Sequence, residues 1–154
     1  MKLSELIRQD TFTSSAQEVI LNVIVTGSWL LSELMTAMAP YGVTPAQYNV
    51  LRILRGSDPN KMTCSAIGAR LLDRTPDVTR LLNRLERSGF IDRERASYDR
   101  RVVEVGITEA GLVLLNKMQE HVNTMQDQLT CHLAEGERHQ LIEYLESLRA
   151  DQVV

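Results

Sequence analysis

The sequence has few cysteines, histidines, prolines and aromatic residues. Its two cysteines, Cys64 and Cys131, are far apart and form no disulfide framework of the kind that staples small secreted domains. Its three histidines, His121, His132 and His139, form no three-ligand cluster. His132 and His139 lie on opposite sides of Gly136, and a zinc site would need Glu135 or Glu143 to join them, so no metal and no cofactor are expected. A glycine-rich phosphate loop and an activated-nucleophile motif are both missing, and Asp77 and Glu86 are no evident acid/base pair. An enzyme is therefore not expected. Long apolar runs are absent too. The most apolar uncharged stretch, Val19 to Ser32, lies between Glu18 and Glu33 and contains Asn22, Thr26, Gly27 and Ser28. The first ten residues mix Lys2, Glu5, Arg8 and Asp10 and lack a signal-peptide core. The expectation is a cytoplasmic protein without a membrane partner.

What remains is a chain of 154 residues, 44% hydrophobic and 24% charged, enough for one domain with a genuine core. A net charge of -3 does not by itself favour nucleic acid, but the charge is unevenly spread. Residues 70–101 contain no lysine but nine arginines against six carboxylates. That is a local net of +3, and it leaves -6 for the rest. Arginine's planar fork donates paired hydrogen bonds to phosphates and base edges.

Apolar spacing divides the chain into elements. From Ser14 to Ala39, Val19, Val23, Leu30, Leu34 and Met38 recur at helical intervals, with Ile20, Ile24, Leu31 and Met35 widening the stripe. So broad a stripe calls for a partner subunit. Pro40 to Val43 ends this helix. Thr44-Pro45-Ala46-Gln47 starts the next with a capping box. A third helix opens at Thr63, with Ile67, Leu71 and Leu72 expected to face inward, and a turn follows at Asp73-Arg74. Thr75-Pro76 is expected to start a fourth helix, whose buried face is Val78, Leu81, Leu82 and Leu85. Gly89 suits its termination. The period then changes to that of strands at Phe90–Arg93 and Val102–Ile107, joined by a charged hairpin, with Met62 adding a brief third pairing. Thr108 to Gly111 begins a long helix reaching about Leu129, and a last helix covers Ala134 to Arg149.

Two short helices around a tight turn suit a helix-turn-helix, whose second helix places its N-terminal side chains in the major groove. The outward residues there are Thr75, Asp77, Thr79, Arg80, Asn83, Arg84 and Arg87. Thr79 and Arg80 are the candidate base readers. Thr75 and Arg84 are assigned to phosphates and Pro76 to a thymine methyl. Asp77 either accepts from a cytosine amine or stabilises the helix N-terminus. Arg95, Arg100 and Arg101 near the hairpin tip suit a minor groove. Asp99 either orients an arginine by ion pairing or closes the turn.

The run Val78 to Arg93, together with Asp99-Arg100-Arg101 and Val105 to Gly111, resembles the recognition helix, wing and following helix of the MarR family. The order of elements fits over roughly residues 14–149. The resemblance implies a mainly α (α+β) fold: a winged helix-turn-helix with a two-stranded wing and long terminal dimerisation helices. It implies one domain over residues 1–154, a DNA-binding lobe over 44–107, and dimerisation helices over 14–39 and 109–149. The implied partners are double-stranded DNA carrying a pseudo-palindromic operator, and a second copy of the chain. Asp99 and Arg101 are then the wing's ion pair, with Arg101 on DNA. A repressor released by a small aromatic or anionic effector is the expected function, with Trp29, Met38, Tyr41, Tyr48 and Arg52 as candidate ligand-binding residues. The alternatives are a redox-responsive regulator using Cys64, at the start of a helix, and a winged-helix module that binds protein.

Overall fold

The structure, a computed structural model, describes residues 1–73 and 77–150. It divides into two compact units, Met1–Leu115 and Asn116–Val154.

The first unit begins with a five-residue helix, α1 (Leu3–Ile7), which the apolar spacing does not signal. The long α2 (Ser15–Met38) follows, with the Ser14 hydroxyl accepting from the Gln17 amide. A short 3₁₀ turn over Ala39–Tyr41 closes it. In α3 (Pro45–Arg55) the capping box forms as expected: the Thr44 hydroxyl accepts from the Gln47 amide, and the Gln47 side chain accepts from the Thr44 amide. β1 (Met62–Thr63) leads directly into α4 (Cys64–Arg70), which Thr63 caps through the Ala66 amide.

Leu72 departs from expectation. Helical spacing would place it inward, but the helix ends at Arg70, and Leu71 takes an extended conformation with ψ 139°. Leu71 stays buried, whereas Leu72 is 90% exposed.

The recognition helix α5 (Val78–Arg87) starts later than expected. Asp77 is its N-cap, and its carboxylate accepts from the Arg80 amide at 3.2 Å. Thr75 and Pro76, expected to open this helix, lie outside the described residues. At the other end Gly89, with φ 75°, supplies the left-handed residue. Its amide donates to the Glu86 carbonyl and that of Phe90 to the Leu85 carbonyl, a Schellman arrangement that folds Phe90 back against the core.

β2 (Ile91–Arg95) and β3 (Val103–Ile107) form the hairpin. β3 is central in a three-stranded antiparallel sheet of order β1-β3-β2, with Met62 opposite Val105. The two-stranded wing is thus extended at its base by the brief pairing expected at Met62. Ile91 opposite Ile107 and Arg93 opposite Val105 share one face. Asp92 opposite Gly106 and Glu94 opposite Glu104 share the other.

One apolar cluster holds these elements together: Val50, Leu51, Ile53 and Leu54 of α3, Ile67 and Leu71, Leu81, Leu82 and Leu85 of α5, Ile91, Val105 and Leu115. Each large side chain fully buried there contributes about 1.5–3 kcal/mol. The base of the recognition helix is therefore bolted to α3, α4 and the sheet, while its polar side is left outside.

α6 (Glu109–Thr130) carries Leu115 at the end of the first unit and Met118, Val122 and Met125 as buried positions beyond it. Gly111 sits where a Cβ would run into the Phe90 carbonyl oxygen and approach Ile107 Cγ1 at 2.7 Å, so only glycine fits this helix start. In the second unit α7 (Glu135–Leu148) exposes Leu141, Ile142, Tyr144 and Leu148.

α2 leaves a large apolar surface uncovered: Val19, Ile20, Val23, Ile24, Trp29, Leu31 and Met35 are all exposed. Glu18 and Glu33 are the only charged residues in Ser15–Tyr41. By length and composition alone this 27-residue span, of hydropathy 1.5, is apolar enough to cross a membrane. The uncharged stretch between the two glutamates understates that span. Glu18, Asn22, Thr26, Glu33 and Thr36 nevertheless form a polar stripe along it at helical spacing.

Candidate nucleic-acid interface

The candidate surface is built from α5 and the wing. With Leu81, Leu82 and Leu85 buried, the helix presents Thr79, Arg80, Arg84 and Arg87 as exposed side chains, with Asn83 half-buried beside them. Asp77 is exposed but engaged. Of its two sequence readings, the structure shows helix capping, because its carboxylate satisfies one of the amides left orphaned at a helix start. Among the described residues no carboxylate lies within ion-pairing reach of Arg80, Arg84, Arg100 or Arg101. Their charge is available to an external anion.

The wing tip is ordered by the backbone. The Ala96 amide donates to the Val102 carbonyl, the Val102 amide donates to the Asp99 carbonyl, and Ala96 is buried. The Asp99 carboxylate accepts from the Arg101 backbone amide at 2.9 Å. The carboxylate thus closes the turn through the main chain, and among the described residues no ion pair joins it to the Arg101 guanidinium. Geometry explains the choice, since a short aspartate side chain easily reaches an amide two residues on. Arg95 reaches across the loop, its guanidinium donating to the Arg100 carbonyl at 3.5 Å.

Sequence reasoning overlooked three residues here. Lys61 bridges β2 from outside, its ammonium 3.1 Å from both Asp92 and Glu94. Burial is the largest single influence and lowers the Lys61 pKa. The hydrogen bonds to Glu94 and Asp92, together with their charges, outweigh it, so the net shift is upward from 10.5. Tyr98 stands 71% exposed at the wing tip and donates its hydroxyl to Glu104 at 3.2 Å. Arg93 points the other way. Its Nε is 3.5 Å from Glu86 of α5, while Nε and Nη2 are buried without a hydrogen bond.

Arg93 lines a cavity of about 230 Å³ together with Cys64, Thr79, Leu82, Val103 and Val105. These residues come from α4, α5, β2 and β3, which no local motif links. Thr79 of α5 and the half-buried Cys64 of α4 both belong to its lining.

The effector residues expected further toward the N-terminus are only partly gathered. Arg52 donates to the Tyr48 hydroxyl at 3.2 Å, with its guanidinium carbon 5.9 Å from the ring centroid. Trp29 is 47% exposed and donates to Glu33, Met38 is buried, and Tyr41 is half-buried.

The sequence profile of the MarR family matches residues 41–102, spanning α3 to the wing. A MarR transcription factor from Planctomyces limnophilus is 36% identical, with a TM-score of 0.68, over 89% of this chain and 97% of that one. The chain belongs to the MarR family of winged helix-turn-helix transcriptional regulators.

The uncharacterized HTH-type transcriptional regulator YkoM of Bacillus subtilis is 36% identical over 78 residues, covering 51% of this chain and 49% of YkoM. The chain thus spans about half the length of that curated relative. The S. aureus MepR–DNA complex shares the fold, with a TM-score of 0.76 and 24% identity over 92% of this MarR-family chain and 100% of MepR.

Proposed function

We propose that this MarR-family protein binds a pseudo-palindromic site in double-stranded DNA as a cytoplasmic homodimer and represses transcription until a small ligand releases it. The observation that carries this reading is the set of arginines on the exposed side of α5 and at the wing tip that have no carboxylate partner among the described residues, mounted on an apolar core. Thr79 and Arg80 read base edges from the helix N-terminus, with Asn83 and Arg84 beside them. Thr75 and Pro76 are assigned the positions that precede it. Arg95, Arg100 and Arg101 take the adjacent minor groove and its phosphates. MepR, with the same fold, is a protein whose complex with DNA has been solved.

A second copy supports the reading because residues 14–39 leave Val19, Ile20, Val23 and Ile24 uncovered, too much apolar surface for a water-facing helix. Residues 109–149 are assigned to the same dimer, and residues 44–107 to the DNA-binding lobe. Two-fold symmetry then sets the half-sites about one helical turn apart.

For the effector, two places carry the proposal: the Tyr48–Arg52 pair with Trp29, Met38 and Tyr41, and the cavity that Thr79 lines. The second favours regulation, because anything that fills it bears on the recognition helix itself. A redox reading has one specific observation behind it, the Cys64 thiol in that cavity wall. Titration of a selected DNA fragment with wild type, Arg80→Ala and Arg101→Ala tests the assignment. Loss of discrimination at one base position is expected for Arg80→Ala, and sequence-independent weakening for Arg101→Ala. Unchanged binding by both variants would refute it.

A further inference from the structure

Glu94 and Glu104 face each other directly across β2 and β3, and such like-charge pairs destabilise a hairpin. Each carboxylate is given its own partner. Lys61 takes Glu94 at 3.1 Å, and the Tyr98 hydroxyl takes Glu104 at 3.2 Å. The second contact has a consequence at the wing tip. It anchors an aromatic ring that is 71% exposed, between Arg95 on one side and Arg100 and Arg101 on the other.

We propose that Tyr98 is a DNA-contacting residue of the wing, packing its ring against the deoxyribose rim of the groove that Arg100 and Arg101 enter. This rests on the DNA-binding reading above and deepens it. The partner's chemistry follows from the surroundings. Arg100 and Arg101 have no carboxylate partner among the described residues, so their guanidinium groups are available to phosphates, while Glu104 and Asp99 place negative charge beside the Tyr98 hydroxyl and leave the ring face for an uncharged surface. The phenol hydroxyl is already spent on Glu104, which leaves the ring face, and not a donor, for the contact. A deoxyribose offers the complementary C–H surface beside the phosphates that the arginines require. The anchored rotamer also lowers the ordering cost on binding. Glu104 is thus a positioning residue for Tyr98.

The test uses the full-length protein and a DNA fragment that the wild type selects over shuffled DNA. Affinity is measured against salt, and hydroxyl-radical cleavage maps the sugars. Tyr98→Ala is expected to weaken binding by roughly five-fold, and Tyr98→Phe by no more than about two-fold, because the ring remains. The salt slope of Tyr98→Ala should match that of the wild type, whereas Arg101→Ala should lower it by about one. Tyr98→Ala should also expose one or two sugars that the wild type protects. Unchanged affinity in Tyr98→Ala would overturn the proposal. So would a fall in both affinity and salt slope, since that would mark a collapsed wing. Should the wild type select no fragment at all, the DNA reading itself fails and this inference falls with it.

Discussion

The Asp99 carboxylate and the Arg101 backbone amide meet at 2.9 Å, so the residue that looks electrostatically out of place on a basic wing is the one that shapes it. Asp99 carries a charge that DNA repels, yet its oxygen sets the turn from which Arg101 projects. Charge and geometry therefore predict opposite outcomes for its removal. Asp99→Ala should weaken DNA binding by about ten-fold, the worth of one lost hydrogen bond to a charged group. Asp99→Asn, which keeps the acceptor and drops the charge, should bind at least as tightly as wild type. Fluorescence anisotropy at fixed salt distinguishes these. Tighter binding by Asp99→Ala would mean that the turn does not matter.

Asp77 caps α5 through the Arg80 amide. Asp77→Ala should cost about 1 kcal/mol, read as a fall in Tm of roughly 2–4 °C, while Asp77→Ser keeps most of the stability. Equal melting of Asp77→Ala and wild type would remove the cap from the account.

Gly111 is fixed by space. A methyl group there meets the Phe90 carbonyl and Ile107, so Gly111→Ala must shift the junction between the wing base and α6. The expected loss is about 2–3 kcal/mol, larger than helix propensity alone, which would favour alanine. Chemical denaturation measures it, and a stabilised variant would contradict the packing described.

The exposed apolar side of α2 predicts the oligomeric state. Ile24 is 60% exposed, and Ile24→Glu should convert a dimer into monomers of 17.4 kDa. Light scattering coupled to size exclusion reads this directly. A wild-type protein that is monomeric at micromolar concentration would remove the covered-face argument.

The Lys61 bridge has a defined pH signature. Because the folded-state pKa lies above 10.5, its contribution is fully present below that value and is lost as pH rises through the folded value. Its carboxylate partners are more than half exposed, so the contribution stays under about 1 kcal/mol. The stability gap between wild type and Lys61→Met should be constant from roughly pH 6 to 9 and close only above about 10.5. A gap that changes near neutrality would point to another titrating group.

Local signals made much of the fold legible. Thr44 and Gln47 announce α3 because both halves of the capping box lie within four residues, and Gly89 announces the end of α5 because only a residue at ease with positive φ serves there. Where two local signals compete, sequence misleads. Thr75-Pro76 and Asp77 both offer a helix start, and the described helix begins after Asp77. Leu72 satisfies a helical period that the backbone abandons one residue earlier. The five residues of α1 are too few to show a period. The outward arginines of α5 follow from its apolar spacing. The cavity that Thr79 lines does not, because Cys64, Thr79, Arg93 and Val103 meet only after four elements have packed. Trp29, a candidate ligand-binding residue, stands on the exposed side of α2. One chain's hydrophobic pattern shows what must be covered without showing what covers it.

The most direct test of the central claim is selection of genomic fragments, including the DNA flanking the gene, by the purified full-length protein at defined salt. The account predicts a fragment bound about 10³-fold more tightly than shuffled DNA of the same length. Equal affinity for every fragment would contradict sequence-specific recognition by α5 and the wing.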